Sequence, residues 1–156
     1  MLKNTALLAR LELVWWLITA IIVAIILGPI LYKLPDYQFL WPNLVFILVM
    51  VTFTRYIFFL KYTFLATWRN IKVAIIFLCI FIAFLLVQEI NLFQTFLDEN
   101  GVEAIVGSLP RTEQGPMMKF IKSEMLLFGV GAVITCGVLP LRLVVSIWRR
   151  WNGYED

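Results

Sequence analysis

Arg55 is the residue with the most chemical promise, because it places a permanent charge inside a long apolar run, Trp41 to Leu60. A charge in that setting either snorkels back to the headgroups along its own stem or meets a buried partner, as an ion pair or a solute contact. At ~1.5 Å of rise per residue, Arg55 sits roughly 9 Å inside the level of Lys61, a distance that a long arginine can cover. No carboxylate stands at obviously matching depth in this chain, so a buried Arg55 is expected to draw its partner from another subunit. A second group of charges lies at the far ends of two other apolar runs: Glu89, Glu124, Lys119 and Lys122. Their placement predicts an interfacial ion pair between one of the glutamates and one of the lysines, holding two helices in register. A proton relay would instead need a carboxylate nearer the bilayer midplane.

The remaining inventory argues against catalysis. With no histidine, imidazole metal sites, histidine-ligated haem and histidine acid-base work are excluded. Cys79 and Cys136 both fall inside apolar runs, where a thiol behaves as a small apolar residue, and two cysteines do not make a zinc site. No phosphate-cradling glycine loop or nucleophile elbow is present. The expectation is a chain with no catalytic residue, no cofactor and no metal. Asp98, Glu99 and Glu103 read as a solvated face, with an acidic docking patch as the sharper alternative.

The elements that must position these side chains are membrane helices. Of the 156 residues, 62% are hydrophobic and 15% charged, and the mean hydropathy of +0.92 lies outside the range of soluble domains. Four apolar runs each reach the ~20 residues that a helix needs to cross ~30 Å of hydrocarbon. They place spans at about 13–32, 41–60, 71–90 and 118–141, with an outer loop over 91–115, in one transmembrane domain. Outer-membrane strands are excluded, because those segments alternate in polarity over about ten residues whereas these runs are apolar all round. The first run is too long for a signal-peptide core and is read as a span. The fold class is thus all-α, an antiparallel bundle of four transmembrane helices with a short helical outer loop between the third and fourth.

Local signals refine this picture. Residues 1–12 form either an interfacial lead or the first turns of a long first helix, with Trp15 and Trp16 at headgroup level. Gly28 and Pro29 fall where a kink or termination costs little, and Asn100 with Gly101 reads as a helix terminator. Pro110 to Pro116 reads as loop, and Pro140 is expected to bend the fourth helix or start an interfacial one. That fourth span also carries Gly129, Gly131, Ala132, Thr135, Cys136 and Gly137, small residues that let helices approach closely in lipid. Trp148, Arg149, Arg150 and Trp151 then form an expected anchor at anionic headgroups.

Charge fixes the expected orientation. Lys3, Arg10, Arg55, Lys61, Arg69, Lys72, Arg142, Arg149 and Arg150 share one side with Glu12, Glu155 and Asp156, nine cations against three anions. The other side holds four cations, Lys33, Arg111, Lys119 and Lys122, against seven anions, Asp36, Glu89, Asp98, Glu99, Glu103, Glu113 and Glu124. The positive-inside rule then puts both termini in the cytoplasm. Basic residues beside apolar runs serve orientation, so the net charge of +3 does not imply nucleic acid. The expected partners are membrane lipids and larger integral membrane subunits, in a bacterial inner membrane. The functional expectation is a non-enzymatic accessory or scaffold subunit of a membrane complex. A small oligomeric transporter or lipid-flipping protein is the first alternative, and a membrane enzyme using its outer carboxylates on lipid or quinone the second.

Overall fold

The computed structural model describes residues 2–66 and 68–153, which are built of helices and turns. Five α-helices follow in order: α1 (Leu2–Lys33), α2 (Leu40–Phe59), α3 (Arg69–Asn100), α4 (Glu103–Val106) and α5 (Arg111–Trp151). Two 3₁₀ turns, Leu60–Tyr62 and Phe64–Ala66, connect α2 to α3. Four of these helices, all but α4, are long and apolar enough to cross a membrane, which identifies the chain as an integral membrane protein. Of the charges used above for orientation, the Lys3 side chain, Glu155 and Asp156 lie outside the described residues.

Three helices run longer than the spans read from hydropathy. Residues 2–12 continue α1 without a break, so they are its first turns, and Pro29 lies inside the helix instead of ending it. Pro110 to Pro116 is not a loop. Arg111 starts α5, whose first amides at Glu113 and Gln114 bond to the Pro110 carbonyl while the Gln114 side chain donates to Leu109 O. Pro140 likewise sits within α5, which continues to Trp151. Gly101 does end α3: its φ of 74° is open to a residue without Cβ, and its amide bonds to Leu97 O.

The core lies around α5, whose most extensive contacts are with α2 and α3, while α1 rests chiefly on α2. Hydropathy alone cannot produce this arrangement, since lipid is as apolar as leucine. Small residues on α5 decide it instead. A Cβ on Gly129 would come within 3.1 Å of Ile90 and 3.2 Å of Phe46, and one on Gly131 within 2.6 Å of the Met50 sulfur. Ala132, Thr135 and Cys136 continue the same buried face. Gly137 does not share that role, because it is exposed with nothing within 4 Å of its Cβ direction. An apolar plug closes the end of the bundle near Lys33. There Leu34, Tyr37, Phe39, Val106, Met117, Met118 and Ile121 are buried in one cluster, and Phe39 meets Phe93 and Phe96 edge-on at 5.1 Å.

Candidate functional site

Polar side chains within these helices gather at three levels, each joining two different helices. At one end, Arg55 of α2 is 5% exposed and engages Glu12 of α1, Nη1 donating to Oε2 at 2.7 Å and Nη2 lying 2.7 Å from Oε1. The guanidinium also stands 5.6 Å from the Trp15 ring and 5.7 Å from the Tyr56 ring, within cation–π range. The partner expected from another subunit is therefore in the chain itself. Because α1 is helical from Leu2, Glu12 reaches the depth of Arg55, and Trp15 packs on Phe59 at 5.5 Å to set the register.

Near the same end, Lys72 of α3 is 1% exposed and donates to the Ser146 hydroxyl of α5 at 2.7 Å. An ammonium so enclosed needs acceptors, since burial without them costs far more than any packing it gains. Above this pair, Arg69, Lys72, Ile147, Arg150 and Trp151 line a basic cavity of about 290 Å³. Arg150 Nη1 donates to Ala66 O at 3.0 Å, which ties α5 to the 3₁₀ turn. Trp148 lines an apolar groove with Val73, Phe77 and Val144, and Arg149 and Trp151 are exposed. The expected lipid anchor is thus divided between a groove, a basic cavity and open surface.

The third level lies at the opposite end, under the apolar plug. Asn43, in the first turn of α2, is fully buried and donates through Nδ2 to Glu124 Oε1 of α5. Glu124 is 5% exposed and its Oε2 has no hydrogen-bond partner, and the same is true of Asn43 Oδ1. The Tyr37 hydroxyl, on the turn before α2, lies beside the Asn43 side chain and in the field of Glu124, yet makes no aligned hydrogen bond. Burial, then the nearby carboxylate, raises its proton affinity well above the ordinary tyrosine range.

This geometry corrects the expected interfacial ion pair. Among the described residues the ion pairs are Lys33–Glu113, at 2.6 Å on the exposed rim, and Arg55–Glu12; Glu124 turns inward to Asn43. Lys119 and Lys122 are exposed, and Glu89 borders an apolar groove of about 410 Å³ between α2 and α3. The reason is helical phase: Ile121, Glu124 and Met125 share the buried face of α5, whereas Lys119 and Lys122 point away from it. Asn43, Tyr37 and Ser146 were not singled out from the sequence. Asn43 and Ser146 carry one signal there, a lone hydrogen-bonding side chain amid apolar residues close to the end of a span, whereas Tyr37, flanked by Asp36 and Gln38, carries none. No protein-family model, curated protein or solved structure matches this chain.

Proposed function

We propose that this chain is a non-enzymatic accessory or scaffold subunit of a larger membrane complex, docking through its lipid-embedded helices. In this reading the four long helices form an antiparallel bundle in a bacterial inner membrane, with both termini cytoplasmic and the segment around α4 on the outer face. The observation that carries it is the use of the buried polar side chains. Glu12–Arg55 joins α1 to α2, Asn43–Glu124 joins α2 to α5, and Lys72–Ser146 joins α3 to α5. Each fixes one helix against another, and together they tie the four long helices into one body whose outer surface is free for partners. That surface is rich in large apolar groups, such as Phe77, Ile80, Phe81 and Phe84 along α3.

Purification in mild detergent tests this. Stoichiometric recovery of larger membrane proteins is the expected result, and a homogeneous self-oligomer carrying lipid or solute would reject it. A small transporter is the second reading, favoured by the unpartnered oxygens of Tyr37, Asn43 and Glu124. It predicts solute flux in vesicles that contain this chain alone.

A further inference from the structure

Three polar side-chain atoms lie near one another beneath the apolar plug without a hydrogen-bond partner: Glu124 Oε2, Asn43 Oδ1 and the Tyr37 hydroxyl. They come from three separate parts of the chain, α5, the first turn of α2 and the preceding turn. All three residues are more than nine-tenths buried, at 5%, 0% and 6% exposure. Leaving such groups unmet is costly, and a carboxylate in a membrane-spanning helix costs most of all. Elsewhere in this molecule the cost is met by a cation, as Arg55 does for Glu12. No basic side chain lies within ion-pairing distance of Glu124 among the described residues. Asn43 supplies one neutral hydrogen bond, which leaves an ionised Glu124 without a compensating charge.

The donor set has a recognisable chemistry. Carboxylate, amide carbonyl and phenol oxygens are hard ligands, suited to cations that bind oxygen. With Glu124 ionised the set carries one formal negative charge, so a monovalent ion leaves the buried cluster neutral whereas a divalent ion would leave it charged. We propose that Glu124, Asn43 and Tyr37 form a binding site for a small monovalent cation of the Na⁺ type. The ion would sit between α2 and α5, completing the link that the Asn43–Glu124 hydrogen bond begins. Binding is a property of this chain alone and needs no partner subunit, so it stands or falls separately from the scaffold reading.

Thermal unfolding of the full chain in detergent tests the site, with NaCl compared against choline chloride at equal ionic strength and neutral pH. Saturating Na⁺ is expected to raise the melting temperature by about 5 °C, because an ion bound only by the folded state stabilises it by mass action. The rise should saturate, and Glu124→Gln should abolish it. Equal melting in the two salts, or a Na⁺ response that persists in Glu124→Gln, would overturn the proposal. So would melting that answers to pH through Glu124 but not to Na⁺, since the cluster would then hold a proton only. If Glu124→Gln does not fold, Tyr37→Phe removes one ligand and keeps the charge. That variant should need about tenfold more Na⁺ for half the effect, as expected for a loss near 1.4 kcal/mol, and an unchanged midpoint would count against the site. Equilibrium binding of radiolabelled Na⁺ to the purified protein gives the direct measurement, with one ion per chain expected and none in Glu124→Gln.

Discussion

Arg55 and Glu12 face each other across α1 and α2, Nη1 donating to Oε2 at 2.7 Å while Nη2 lies 2.7 Å from Oε1 without an aligned hydrogen bond. Such a pair fixes direction as well as distance, because both members are planar. Removing either member leaves the other charge uncompensated beside the Trp15 and Tyr56 rings. Arg55→Leu is expected to cost about 3 kcal/mol, near the low end for breaking a buried pair, since Glu12 keeps 18% exposure. The double variant Glu12→Leu/Arg55→Leu should recover most of that loss. Detergent unfolding of the two single variants and the double variant, taken as a cycle, checks both statements.

The pair at the rim should behave differently. Lys33 and Glu113 also approach to 2.6 Å, but their side chains are 39% and 44% exposed. Water screens them, and exposed pairs contribute about 0–1 kcal/mol. Glu113→Gln is therefore expected to change stability by less than about 1 kcal/mol, measured in the same unfolding assay and weakening further as salt is raised.

Gly129 is the position on α5 where added volume should do most harm. Its neighbours Ile90 and Phe46 are stiff and already close, whereas Gly131 faces the end of the flexible Met50 side chain. Gly129→Leu should destabilise by about 1–3 kcal/mol or prevent folding. Gly131→Ala should be milder and Gly137→Leu close to neutral. Melting temperatures of the three variants rank them.

Ser146 gives the buried Lys72 ammonium an acceptor, so removing the hydroxyl leaves a desolvated donor short of one hydrogen bond. Ser146→Ala should cost about 1–3 kcal/mol. Ser108→Ala, on an exposed turn, should cost almost nothing. Loss of folded protein on stepwise heating separates the two.

Tyr37 makes the stability of the fold sensitive to alkali. Its phenol holds its proton more tightly when folded than when unfolded, because burial disfavours the phenolate. Its contribution is therefore fully present below the ordinary tyrosine value of roughly 10 and is lost as pH rises beyond it. In choline chloride, the native protein should lose more stability between neutral and strongly alkaline pH than Tyr37→Phe does. Parallel slopes for the two proteins would contradict this.

The legible parts of the structure were those set by the bilayer and by backbone sterics. Four long apolar runs give four long helices, Gly101 ends α3, and Gly129 and Gly131 meet neighbouring helices. Hydropathy fails where a helix leaves the apolar region, which is why α1, α3 and α5 outrun the spans assigned to them. That same excess hid the partner of Arg55, since Glu12 reads as part of a lead until α1 is seen to begin at Leu2. Glu124 was legible as a charge near a helix end but not in its direction. Charge attraction pointed to Lys119 and Lys122, five and two residues before it, which helical phase turns away from the face it occupies. Asn43 was hidden because Trp41 and Pro42 beside it read as a helix start, and α2 does begin there, at Leu40.

The link between Asn43 and Glu124 also bears on how the chain is made. The two residues are 81 positions apart, so a ribosome adding about 5–20 residues per second needs roughly 4–16 s to produce the second after the first. Throughout that interval the Asn43 amide lacks this partner, and its place in the first turn of α2 leaves water and headgroups to take its hydrogen bonds. The link between α2 and α5 can therefore close only after α5 has been made, which puts it among the late contacts of the chain.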